Sequence, residues 1–148
     1  EQLMKKWVLP LLCGLLLPLT ATAENSTQAA GYTIHHNAIP TATLTPAVAT
    51  GYRITRSKYR GLLNVSVIKE VPGTTGQPVT AIVKTNATNL LGKSLAIPMR
   101  EIREGAAVYY IGEFPIIDRE TLSFKLEVTP AGMQKPISAT LSQQFFVD

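Results

Sequence analysis

Two adjacent histidines, His35 and His36, are the only imidazoles in the chain, and Cys13 is the only thiol. With the carboxylates, these are the side chains that could hold a metal or run acid–base and nucleophilic chemistry. Both histidines fall within Tyr32 to Ala38, whose β-branched and aromatic residues predict a strand. Adjacent strand residues point to opposite faces, so the pair cannot converge on one ion without Asp or Glu ligands from elsewhere. The expectation is one exposed His and one packed or hydrogen-bonded His. The pairs Glu101 with Glu104 and Asp118 with Glu120 lie by turns, where solvated charge is usual. There is no Gly-rich phosphate loop followed by Lys and no Gly-x-Ser-x-Gly elbow. A Ser–His–Asp set assembled from distant positions stays open. No catalytic set stands out. The chain is therefore read as not an enzyme, with no cofactor and no metal site. The rival reading is a small periplasmic hydrolase or metal-dependent enzyme using His35 or His36.

The densest positive charge lies in Arg53 to Glu70, which is also the longest candidate strand. Alternation puts Tyr59, Gly61, Leu63, Val65 and Val67 on one face and Arg56, Lys58, Arg60, Asn64 and Ser66 on the other. Leu62 and Ile68 intrude on the polar face. Arg56, Lys58 and Arg60, with Arg53 nearby, thus make a basic stripe, the candidate binding site. It reads either as a solvated face whose cations discourage edge pairing or as a surface for an anionic partner. That partner would be a lipid headgroup, a cell-wall polymer or an acidic protein surface. Nucleic acid is a poor candidate for an exported protein.

Export is the expectation from the first 23 residues. Met4-Lys5-Lys6 is basic, Trp7 to Leu19 is almost wholly apolar, and Thr20-Ala21-Thr22-Ala23 supplies a small-residue cleavage site. The apolar run is short of the roughly 20 residues a spanning helix needs, and Pro10 and Pro18 interrupt it. The expected cut follows Ala23, leaving no transmembrane anchor. Cys13 has Leu12 before it and more apolar residues after it, so it belongs to the apolar run rather than to a lipid-anchor site. Residues 24–148 then carry 12 Lys and Arg against 9 Asp and Glu. They hold no Cys, so no disulfide can support the fold in an oxidising compartment.

The remaining chain reads as residues 24–30, a disordered leader, and residues 31–148, one β-sandwich domain. Thr45-Pro46-Ala47-Val48-Ala49-Thr50-Gly51 predicts one short helix after the first strand, with Thr45 as N-cap, Pro46 in the first turn and Gly51 as the left-handed terminator. Strands follow over Val79–Thr85, Leu95–Ile102, Ala106–Phe114, Thr121–Thr129 and Ile137–Val147, separated by turn chemistry including Asn86–Lys93 and Pro115–Glu120. Pro98 puts its strand at a sheet edge. The inward residues are Leu63, Val65, Val67, Val79, Ala81, Val83, Leu122, Phe124, Leu126 and Val128. The fold class is all-β: an antiparallel sandwich of about seven strands, loosely immunoglobulin-like and without that fold's Cys and Trp landmarks.

Several stretches bear a likeness to a known family: Tyr32-Thr-Ile-His-His-Asn-Ala, then Leu44-Thr-Pro-Ala-Val-Ala-Thr-Gly-Tyr-Arg-Ile, Arg56-Ser57, Gly61-Leu-Leu-Asn-Val-Ser-Val and the terminal Gln144-Phe-Phe-Val-Asp. Together they resemble a family of small exported proteins of Gram-negative bacteria, classed as a domain of unknown function. The resemblance implies a periplasmic location and supplies no activity or catalytic residues. The functional expectation is a non-enzymatic binding or assembly module of the cell envelope. Its partner would be an envelope protein or an anionic envelope surface.

Overall fold

The structure, a computed structural model, describes residues 25–148. The expected signal segment and its cleavage site lie outside the described residues. Strand β1 (Ser26–Ala29) is followed by β2 (Tyr32–Pro40), a 3-10 turn (Thr41–Thr43), helix α1 (Pro46–Gly51) and β3 (Arg60–Lys69). Then come β4 (Gln77–Pro78), β5 (Ala81–Asn89), β6 (Ser94–Ile97), β7 (Arg100–Glu104), β8 (Ala107–Pro115), β9 (Thr121–Pro130) and β10 (Ile137–Gln144). All pairings are antiparallel. One sheet runs β1-β2-β3-β8-β7, with β4 also on β3; the other runs β10-β9-β5-β6.

The two sheets pack as a sandwich because their inner faces carry the apolar half of each alternation. Ile34, Leu63, Val65, Val67 and Phe114 from the first sheet meet Phe124, Leu126 and Val128 from the second, all fully buried. Val79, Ala81 and Val83 face the same core and are partly buried. Three phenylalanine rings join the layers edge to face. Phe114 lies 5.0 Å from Phe124 and 5.4 Å from Phe145, and those two are 6.2 Å apart. Phe114 sits directly opposite Gly61 in the β3–β8 ladder. Its ring occupies the space a side chain at residue 61 would need: an added Cβ would lie 2.2 Å from the ring. Glycine is therefore required there for close approach, not for backbone freedom.

A second, smaller cluster covers the outer face of the first sheet. Ala49 of α1 and Ile54 bury Leu62 and Ile111. This accounts for Leu62 on the face expected to be polar. The other intruder, Ile68, is met by the turn after β3, where Gly76 packs against it.

Four expectations need correction. First, the leader is not disordered: Ser26–Ala29 pairs with Tyr32–His35. Ala30 and Gly31 both have positive φ (54° and 83°), the geometry of a tight two-residue hairpin turn. Second, the long strand starts at Arg60, not Arg53, and Tyr59 is exposed rather than buried. Thr41 Oγ1, wholly buried, accepts a hydrogen bond from Ser57 N at 2.8 Å and draws residues 53–59 into a loop. Third, β5 continues to Asn89, through residues expected to turn. Fourth, Leu95–Ile102 is two strands. Pro98 ends β6 at the edge of one sheet, and the chain crosses to begin β7 at the edge of the other.

Phe124 is fully buried, and its neighbour Lys125 is solvated in a 3.7 Å ion pair with Glu127. Phe124→Ala should cost about 3–5 kcal/mol in urea unfolding. Lys125→Ala should stay within about 0.5 kcal/mol. Equal costs would mean that the sheets are not joined through this ring.

Candidate functional site: an apolar end and a dispersed basic stripe

Arg53, Arg56, Lys58 and Arg60 are all exposed but do not share a strand face, because β3 begins only at Arg60. Arg53 stands at the C-terminus of α1, where its φ of 58° is left-handed. Ile54 N donates to Ala49 O at 2.8 Å and Arg53 N to Thr50 O at 3.1 Å, so the helix ends in a Schellman cap with Arg53 in the position glycine usually takes. Gly51, the expected terminator, has no positive φ. Arg56 spends its guanidinium on the backbone: Nε donates to Leu44 O at 2.7 Å and Nη2 to Ala42 O at 3.0 Å. Arg60, inside β3, lies 3.8 Å from Glu113. Lys58 Nζ sits 5.6 Å from the centroid of the neighbouring Tyr59 ring. Arg53 thus ends the helix through its backbone, Arg56 braces the loop through its side chain, Arg60 lies across the strands from Glu113 and Lys58 projects.

The histidines separate as the alternation requires. His36 is 2% exposed and faces inward; its Nε2 lies 3.0 Å from Thr27 Oγ1 on β1. His35 faces outward, on a shallow concavity of about 640 Å³ that Glu70 also lines. Glu70 there accepts from Thr33 Oγ1 at 3.0 Å, and among the described residues no hydrogen bond or ion pair joins it to His35. No group of three or more His, Cys, Asp or Glu side chains gathers among the described residues.

One polar cluster is ordered by its neighbours. The Tyr110 hydroxyl accepts from Ala81 N at 2.8 Å and donates to Glu101 Oε1 at 2.9 Å, while Arg103 Nε donates to Glu101 Oε2 at 2.6 Å. The bond from Arg103, and after it that from Tyr110, hold the Glu101 carboxyl below its ordinary range. Burial, chiefly, pushes the Tyr110 phenol up. The phenol links a strand of one sheet to the ladder of the other. Every contact named serves the fold.

The feature that stands apart is the end of the sandwich where β3 and β6 start and β5, β8 and β10 finish. Six of the nine large apolar residues exposed among the described residues lie there: Tyr59, Leu90, Leu91, Leu95, Ile117 and Phe146. Leu90 and Leu91, at the β5–β6 tip, are 84% and 93% exposed. The tip is fixed nonetheless. Asn89 Oδ1 accepts from Leu91 N at 3.0 Å and Lys93 N at 2.9 Å, and Asn89 N donates to Lys93 O at 3.0 Å. Asn89 Nδ2 donates to Glu120 Oε2 at 3.2 Å, tying the tip to the β8–β9 loop. That loop also holds the other segments: Ile116 N bonds Tyr59 O at 2.8 Å, Arg119 N bonds Phe145 O at 2.7 Å, and Val147 N bonds Asp118 Oδ1 at 2.9 Å. Beside the tip runs a groove of about 480 Å³ whose lining includes Leu91, Leu95, Pro115, Ile117 and Leu122. Charges of both signs border this end, among them Lys58, Lys93 and Arg119 and Asp118, Glu120 and Asp148. Its signal in the sequence is the adjacent pair Leu90 and Leu91 inside a turn, where polar residues are the norm.

Fold and surface define a small all-β module with exposed apolar residues gathered at one end. The family model described as "Domain of unknown function (DUF4426)" matches residues 26–148, and the chain belongs to that family. A crystal structure of a DUF4426 family protein from Pseudomonas aeruginosa PAO1 is similar at 30% identity and a TM-score of 0.71, over 83% of this chain and 94% of that one. FetP of uropathogenic Escherichia coli strain F11, expressed in the periplasm of E. coli, shares the fold at 8% identity and a TM-score of 0.58, over 82% and 92%. A copper-bound FetP variant aligns at 8% identity and 0.59, over 81% and 93%. No curated protein matches the chain.

Arg53 tests the reassignment of the stripe. A left-handed non-glycine residue carries a backbone cost of about 1–2 kcal/mol, so Arg53→Gly should raise stability by about 1 kcal/mol after the entropy of glycine is counted. A higher urea midpoint with unchanged slope is expected. A fall would mean that the Arg53 side chain, not the backbone position, is what the fold uses.

Proposed function

We propose that the protein is a non-enzymatic binding module of the bacterial cell envelope, released into the periplasm by cleavage after Ala23, and that it docks an envelope protein through its apolar end. The rigid tip that holds Leu90 and Leu91 in solvent is the observation that carries this reading. Exposed apolar patches rimmed by polar residues mark interaction sites, and a preordered tip loses little entropy on docking. The groove beside it can accept a partner's side chains. The apolar character of the end, with charges of both signs around it, favours a protein partner over an anionic surface. Support for the location comes from the basic, apolar and small-residue order of the first 23 residues and from the Gram-negative relative. The copper of the FetP variant belongs to that protein; at 8% identity the likeness carries the fold alone.

Crosslinking the tagged protein in envelope preparations should capture a specific protein. Leu90→Ser with Leu91→Ser should weaken that complex more than about tenfold. Lys58→Glu, which removes the projecting cation and leaves Arg56 in place, should not. Equal capture by the leucine variant would remove the apolar end from the account. Sedimentation with phosphatidylglycerol vesicles that depends on Lys58 would favour an anionic surface instead.

A further inference from the structure

Among the described residues the two sheets have four terminal strands, and three of them are blunted. β1 and β6 are four residues each, and β6 stops at Pro98. β7 is five residues, four of them charged: Arg100, Glu101, Arg103 and Glu104. Short length, charge and proline are the usual devices against edge pairing. β10 has none of them. It runs eight residues, Ile-Ser-Ala-Thr-Leu-Ser-Gln-Gln, with no charge, proline or glycine. Its ladder is continuous with β9 from Ile137 to Gln144. Among the described residues, its backbone makes no hydrogen bond beyond that ladder.

We infer that β10 is an interaction edge whose occupant is a second copy of this chain, added antiparallel to make one sheet that runs through both subunits. An uncharged strand meets its own copy without like-charge repulsion. The geometry restricts the register. Ala139 faces the core while Ser138 and Thr140 face solvent. Both cores must stay on one side of the joint sheet, so the two-fold axis stands perpendicular to it and residues pair only with residues of the same face. An axis at Thr140 sets Thr140 against itself, Ser138 against Ser142 of the partner subunit, and Ala139 against Leu141 of the partner subunit. The outer face then carries hydroxyl pairs of matched size, which favour cross-strand contact. Pro136, which has no N–H, falls at the end of the ladder, where that loss matters least. β10 reaches the leucine end only at Gln144, and pairing centred on Thr140 leaves the β5–β6 tip uncovered, so a dimer would present two copies of that tip.

Analytical ultracentrifugation of exported protein should show a monomer–dimer equilibrium. Thr140→Glu places like charges at the axis while facing Lys125 within its own subunit, so the fold is kept and dimerisation should weaken more than about tenfold. With the signal segment and Cys13 removed, Thr140→Cys should form an intermolecular disulfide under mild oxidation, and Ser138→Cys, which faces residue 142, should not. A monomer at every concentration, or a dimer that Thr140→Glu leaves at full strength, overturns the inference.

Discussion

The Phe114 ring lies over Gly61, and the structure depends on that placement. A side chain of any size at residue 61 would displace the ring. With the ring seated, Phe114 reaches Phe124 in the opposite sheet and Phe145 beyond the end of β10. One glycine thus lets a strand of the first sheet, a strand of the second and the C-terminal segment meet at one point. Edge-to-face pairs of this kind add about 0.5–1.5 kcal/mol beyond the area they bury. In a chain without disulfides in its described residues, that cluster fixes how the two layers stack.

The same cluster lies beneath the apolar end. Phe145 N bonds Glu120 O at 3.0 Å and Phe145 O accepts from Arg119 N, so the β8–β9 loop is pinned beside the buried ring. From that loop, bonds run to Tyr59, Asn89 and Val147. The exposed leucines are held at fixed positions by a chain of contacts that begins in the core. The cations next to this end do different work. Arg56 and Thr41 tie the 53–59 loop to the 3-10 turn, which lets α1 cover Leu62 and Ile111. Of the four exposed basic residues that read as a stripe, Arg56 is the one whose side chain braces the loop.

Residues that act locally were legible in the sequence. Thr45 caps α1 as expected, accepting from Val48 N at 3.2 Å, and the alternation of Leu122, Phe124, Leu126 and Val128 marked their buried face. Opposite placement of His35 and His36 followed from the strand period alone. What sequence could not carry was pairing between distant segments. Arg53 to Tyr59 had strand-like alternation, but β2 ends at Pro40 opposite Gly61, so nothing was left to pair with them. The helix terminator shifted from Gly51 to Arg53 because Ile54 had to reach the small cluster under α1. Ser26–Ala29 is polar and small, and only the hairpin turn at Ala30-Gly31 brings it onto the sheet. Leu90 and Leu91 were visible as residues, but their exposure depends on the four-bond tip built around Asn89.

The account therefore claims that the apolar end is a preformed surface, ordered from the core through Phe145. Hydrogen exchange in the Phe145→Ala variant tests this most directly. The amides of Leu91, Lys93, Ile116 and Arg119 should lose protection together, while those of β2 and β3 at the far end of the sheets keep theirs. Unchanged protection at Leu91 and Lys93 would contradict the account, because the leucine tip would then be ordered without the core beneath it.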